Sequence, residues 1–233
     1  MFKIVLPAIC LLFSVLITDS AHAQISVELA GKQYTIPAIN NTKSPAINPF
    51  DKKIDSEYMS YHVIEPLTSS PYTFEARCSY IGGMTTNIYK VNILKGNMDS
   101  LWAEVYTFVR HTRKLNGGAQ YIELGKNDII TVFIKKQALN IDADHIIDNL
   151  IKLGLFTQPD IDVVLENLKN NNVKLDRSTV MDCCDNLLFD IKIGNHYRNF
   201  KYNNYTFTGN PNIKELIDAS ALTDTFLKIT SGN

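Results

Sequence analysis

Tyr72-Thr73-Phe74-Glu75-Ala76-Arg77-Cys78-Ser79-Tyr80 is the stretch that decides the fold. Tyr72, Phe74, Ala76, Cys78 and Tyr80 alternate with Thr73, Glu75, Arg77 and Ser79. An extended backbone sends successive side chains to opposite faces, so this pattern reads as a strand with one face inward and the other toward water. Gly82-Gly83 permits a turn, and Tyr89, Val91 and Ile93 make the return strand of an antiparallel hairpin.

Downstream, the spacing predicts a helix over about 99–115. Leu101, Val105, Phe108, Val109 and Thr112 share one side, and Asn116-Gly117-Gly118 stops it. A second hairpin is expected from 121–124 and 129–134, and its nearly all-apolar return strand suits a central place in a sheet. Helices follow at about 143–153, capped by Asp142 and stopped by Gly154, and at about 158–169, with Thr157 as cap and Asp160 three residues on. A third hairpin turns at Gly194-Asn195, with Leu187, Phe189, Ile191 and Ile193 inward and a return strand over 197–202. Asn210-Pro211 then opens a helix to about Ile229, with Ile213, Leu216, Ile217, Phe226 and Ile229 apolar.

Upstream, Ile25, Val27 and Leu29, then Tyr34 and Ile36 across Ala30-Gly31-Lys32, make an N-terminal hairpin. A Pro- and Asn-rich connection covers 37–55, and 58–64 reads as one more short strand. The expected class is α+β: antiparallel hairpins packed against amphipathic helices. The expected organisation is a leader over 1–23, the N-terminal hairpin and its connection over 24–57, and an α+β domain over 58–233. That domain is divisible into 58–118 and 119–233. Hairpin followed by helix occurs at 72–115 and again at 187–229, an order compatible with a degenerate duplication, although the arrangement is common in α+β proteins.

The leader sets the compartment. Met1-Phe2-Lys3 is a short positive start, Ile4 to Ile17 an almost unbroken apolar run, and Ala21-His22-Ala23 has the small-x-small form that signal peptidases cut after. The run is shorter than the ~20 apolar residues needed to cross a bilayer. No second long apolar segment appears, so no membrane span is expected in the mature chain, which is secreted or periplasmic. The net charge of −1 and the absence of a basic patch argue against a nucleic-acid or anionic-membrane partner.

Three cysteines remain after cleavage, Cys78, Cys183 and Cys184. In an oxidising compartment an odd count implies one bridge and one spare thiol, or a bond to another chain. Face parity favours Cys78–Cys183, with Cys78–Cys184 as second choice. Such a bridge would close a loop of roughly 105 residues and stabilise by about 4–5 kcal/mol on the loop-entropy model. Three buried thiols are the plainer reading.

No short catalytic motif is present: no G-x-S-x-G, S-x-x-K, phosphate-binding glycine loop or metal-spaced histidine pair. Asp144, His145 and Asp148 share a helical stretch, but acidic residues near a helix N-terminus are expected from the dipole alone, and no metal or cofactor is assigned. Asp182 and Asp185 would raise the pKa of Cys183 or Cys184, the wrong direction for a nucleophile. The densest aromatic stretch, with Tyr197, Arg198, Tyr202, Tyr205 and Phe207, suits contact with a protein partner or a glycan. Asn40-Asn41-Thr42 and Asn204-Tyr205-Thr206 also fit the glycosylation pattern of eukaryotic secretion.

The favoured function is therefore a non-enzymatic envelope binding module of inhibitor or immunity type. The alternative is an envelope hydrolase using Asp or Glu with His145 or His111. The exported chain should begin at Gln24. An intact mass that retains residues 1–23 after export would overturn the leader reading.

Overall fold

A computed structural model describes residues 24–37, 64–81, 88–111, 129–138, 143–173, 186–203 and 212–231. The expected leader, most of the 37–55 connection, the strands expected at 58–64 (save residue 64) and 121–124, Cys183, Cys184, Tyr205 and Phe207 lie outside the described residues.

The N-terminal hairpin pairs β1 (Gln24–Leu29) with β2 (Lys32–Pro37). Its turn places Ala30 at φ 50° and Gly31 at φ 78°, the doubly left-handed geometry that matches strand twist. Their amides donate to the Asn97 and Met98 carbonyls, which docks the hairpin tip on the main sheet. Leu29 reaches Gly96 there. A Cβ at Gly96 would meet Leu101 Cδ1 at 2.9 Å and Leu29 Cδ2 at 3.5 Å, so the Leu101 side chain would have to shift to admit one.

The main sheet contains β3 (Phe74–Ile81), β4 (Ile88–Asn97), β5 (Ser100–His111), β6 (Ile129–Ala138), β7 (Asn186–Ile193) and β8 (His196–Asn203). All pairings are antiparallel, in the order β6-β5-β4-β3-β7-β8. The pairing of β3 with β7 closes the largest sequence gap and draws strands from both halves of the chain into one sheet.

One face carries Phe74, Ala76, Cys78, Leu94, Leu101, Ala103, Leu187, Phe189, Ile191, Ile193 and Phe200, all buried. Three helices cover it: α1 (Ala143–Lys152), α2 (Ile161–Asn170) and α3 (Lys214–Ser231). Ile147 and Leu150 of α1, Val164 of α2, and Leu216, Ala219, Leu222, Phe226 and Ile229 of α3 enter the same apolar cluster. Phe189 is its hub. Its ring stacks on Phe200 at 4.7 Å between centroids and meets Phe226 edge-on at 6.0 Å.

Several expectations change. Residues 100–111 are a strand, not a helix. The helical spacing of Leu101, Val105 and Phe108 is real, but Trp, Val, Tyr, Thr and Phe crowd 102–108, and these residues suit a pleated surface better than a helix. The alternation was masked because the outward residues Trp102 and Tyr106 are also aromatic. With β5 in place, 72–111 is a three-stranded meander, so the hairpin-then-helix order is not repeated there. Among the described residues β6 pairs with β5 alone and stands at the end of the sheet rather than centrally. The second helix starts later than expected, with Asp160 as its cap, accepting from Asp162 N at 3.0 Å. Ile217 is exposed, because Ala219 and Leu222 complete the buried stripe of α3.

Cys78 is a free, buried thiol among the described residues, and its expected partners Cys183 and Cys184 lie outside them. Parity named its face correctly, but register places it opposite Phe189, six residues beyond Cys183 along the chain. Burial is the main cause that pushes the Cys78 thiol up, and the nearby Asp190 charge adds to it. A thiol whose folded pKa lies above its unfolded value contributes stability that is present below the unfolded value, near 8.5, and lost as pH rises past it. Cys78 should therefore resist alkylation in the folded protein at pH 8 and react fully in urea. Rapid labelling without denaturant would contradict its burial.

Candidate functional site

The second face of the sheet was expected to meet water, yet its centre is closed. Glu75 and Glu104 are each 1% exposed, and Ser79, Tyr106 and Lys192 are buried beside them. Alternation and register make this inevitable in one respect. Once Phe74, Ala76 and Cys78 face the helices, Glu75, Arg77 and Ser79 must face the other way. β4 presents Ile93 and Lys95 there, β5 presents Trp102, Glu104 and Tyr106, and β7 presents Asp190 and Lys192.

A carboxylate taken out of water is tolerated only if its charge is matched and its oxygens are hydrogen-bonded. Glu104 accepts from Lys95 Nζ at 2.8 Å, from the Tyr106 hydroxyl at 2.9 Å and from Trp102 Nε1 at 3.3 Å. Glu75 accepts from Arg77 Nε at 2.7 Å and Nη2 at 2.6 Å, and from the Ser70 hydroxyl. Lys95 and Lys192 stand directly opposite Glu75 on the two neighbouring strands. The Lys95 ammonium also lies 5.0 Å from the centre of the Tyr72 ring, which meets Trp102 edge-on at 4.9 Å. The result is a balanced lattice of three acidic groups, Glu75, Glu104 and Asp190, and three basic ones, Arg77, Lys95 and Lys192.

Tyr106 illustrates the electrostatics. Burial, then its hydrogen bond to Glu104 and the charges of Glu104 and Glu75, push its phenol up, and Arg77 opposes them weakly. The hydroxyl therefore stays neutral and donates. Chemically the cluster holds charges in place, with Glu75 and Glu104 each engaged by a cation and by neutral donors.

The residues singled out from the aromatic stretch divide between the two faces. Tyr197 is on the second face, half-buried, with its hydroxyl donating to Thr68 O at 3.4 Å. Arg198 lies opposite Ile191 on the helix side, where its guanidinium sits 5.2 Å from the centre of the Phe200 ring and donates to Phe156 O. Burial lowers the Arg198 pKa to about 10, against the raising effects of Tyr202 and Asp160. Tyr202 is 1% exposed, donates to Pro159 O at 2.7 Å and accepts from Gln158 Nε2 at 3.0 Å. Burial pushes its phenol up as well. Arg198 and Tyr202 therefore clamp the α1–α2 connection onto β8. Asp160 adds to the clamp by accepting from Lys201 N at 3.1 Å.

The acidic stretch of α1 is similarly dispersed. Asp148 pairs with Lys32 of β2 at 3.7 Å, and no group of three metal-binding side chains occurs among the described residues. His145 is exposed on α1, on the helix side of the sheet and away from Glu75 and Glu104. The ionic lattice itself escaped the sequence reading. Its one signal was charge at alternate positions of strands, which is normally read as a wet face.

The chain matches no known family model and no curated protein.

Replacing Glu104 with Ala leaves the Lys95 ammonium, on a side chain 12% exposed in the intact protein, without its carboxylate. Breaking a buried pair from one side costs about 3–5 kcal/mol. A fall of that size in urea-derived stability is expected for Glu104→Ala, with a smaller loss in the double variant Lys95→Met, Glu104→Gln. Equal losses in the two would show that the pair is not coupled.

Proposed function

We propose that the protein is an exported, non-enzymatic binding module that meets a protein partner through the second face of its sheet, on the side of β7 and β8. Supporting this reading most directly is the saturation of the central carboxylates. Glu75 and Glu104 spend their hydrogen-bonding capacity on Arg77, Lys95, Tyr106, Trp102 and Ser70, which supplies a rigid platform and leaves recognition to its margin. That margin carries Leu188, Asp190, Tyr197 and Asn199, all partly exposed, and the exposed Lys201.

An aromatic ring flanked by polar groups on a stiff strand suits partner recognition, because little conformational entropy is lost on binding. Tyr197 is held on both sides, by β8 itself and by its bond to Thr68 O. The opposite face of the sheet lies under the helices and offers no comparable strand surface. Inhibitor and immunity proteins of the bacterial envelope work by surface complementarity of this kind, with no reacting group required.

A photo-reactive residue placed at Tyr197 or Asn199 should give one discrete adduct in envelope extract, and the same residue at the exposed Lys228 of α3 should not. Tyr197→Ala should then weaken association with the captured protein about tenfold, near 1.4 kcal/mol. Indistinguishable labelling from both sides, or none from either, would remove the reading.

A further inference from the structure

The geometry points to residues 64–73 as a latch that closes over the ionic lattice and opens as a unit while the sheet stays folded. This segment crosses the second face immediately before β3. It includes one 3-10 turn, Leu67–Ser69, none of whose residues is buried, and Ser70 is the segment's one buried residue. Its attachment is therefore polar rather than apolar.

The fastenings come from the sheet beneath. Arg77 Nη2 donates to Glu65 O at 2.7 Å, and Lys192 Nζ donates to Ser70 O. The Ser70 hydroxyl donates to Glu75, and the Tyr197 hydroxyl donates to Thr68 O. At the hinge end Thr73 N donates to Asn97 Oδ1 at 3.1 Å, and Gly194 N donates to Thr73 O at 2.8 Å. Tyr72 adds a large side-chain contact, lying across Trp102 and the Lys95 ammonium.

Two features make independent opening favourable. Segments with few buried apolar groups open at lower free energy than the core they rest on. The side-chain donors of the sheet that the latch releases are two cations and a hydroxyl that water can solvate, and Glu75 keeps Arg77 while Glu104 keeps Lys95. Pro66 and Pro71 stiffen the segment, so it moves as one piece. Closed, the protein displays the exposed turn and Tyr197. Open, it uncovers the faces of Trp102 and Glu75 that Tyr72 and Ser70 occupy. The latch does not depend on the partner reading, and its test needs no partner.

Hydrogen exchange on the full mature chain reads the opening directly. The Thr73 amide, bonded to Asn97 Oδ1, and the Gly194 amide, bonded to Thr73 O, join latch to sheet in the closed state and should show measurable protection. They should nevertheless exchange at least tenfold faster than those of Ala76 and Cys78 in β3. Tyr72→Ala should speed the latch amides about tenfold more and leave the β3 amides unchanged. Tyr197→Phe, which removes a single hydroxyl, should speed them by a few fold. Latch and β3 amides exchanging together, in the wild type or in both variants, would show that the segment opens only when the sheet unfolds. Exchange of the latch amides at the unprotected rate would show that it is not closed at all.

Discussion

Charge removed from water must be matched in place, and that constraint governs the second face of the sheet. With Glu75 and Glu104 each 1% exposed, neither could remain ionised at tolerable cost without Arg77, Lys95 and the neutral donors around them. Cross-strand register is what delivers those partners. Lys95 and Lys192 face Glu75 because β3 lies between β4 and β7, and Ile93 faces Glu104 so that Lys95 reaches it diagonally. A slip of one residue in either pairing would send every charged side chain into the helix-covered core. The lattice thus penalises wrong registers more than it rewards the right one.

The helix side obeys the opposite chemistry and reaches the same end. Phe74, Phe189, Phe200 and Phe226 supply the large apolar area, and the polar groups admitted there are those with a backbone carbonyl to satisfy. Arg198 on Phe156 O and Tyr202 on Pro159 O tie the α1–α2 connection to β8. Gln158 extends the tie to Glu215 O at the start of α3. These bonds place all three helices relative to one strand, which explains why a residue as polar as Arg198 is tolerated beside a phenylalanine ring.

Local signals were strong where one periodicity stood alone. The hairpins at 24–37 and 186–203 have turn residues at the right places and one clearly apolar face, and they form as expected. Residues 100–111 fail because both faces are apolar or aromatic, so a helical spacing can be drawn through them as easily as an alternation. Tertiary context decides the case: β4 offers ten paired positions from Asn97↔Ser100 to Ile88↔Val109. The same ambiguity, in reverse, hid the lattice. Glu75, Arg77, Lys95 and Glu104 look like a solvated face until a strap and a row of aromatics cover them.

By itself the sequence determined the α+β class, the antiparallel hairpins at 24–37, 74–97 and 186–203, the helix at 143–152, the presence though not the start of the helix that ends at Asn170, and the inward face of each strand in those hairpins, because these follow from spacing along a single segment. The tertiary structure alone decided that β3 joins β7, that Cys78 lies opposite Phe189 as a buried free thiol, and that Tyr197 and Arg198 look out on different faces of the sheet. It alone decided that two carboxylates would be buried together with their cations. Those outcomes depend on which distant strands become neighbours and in what register, and no window of adjacent residues carries that information.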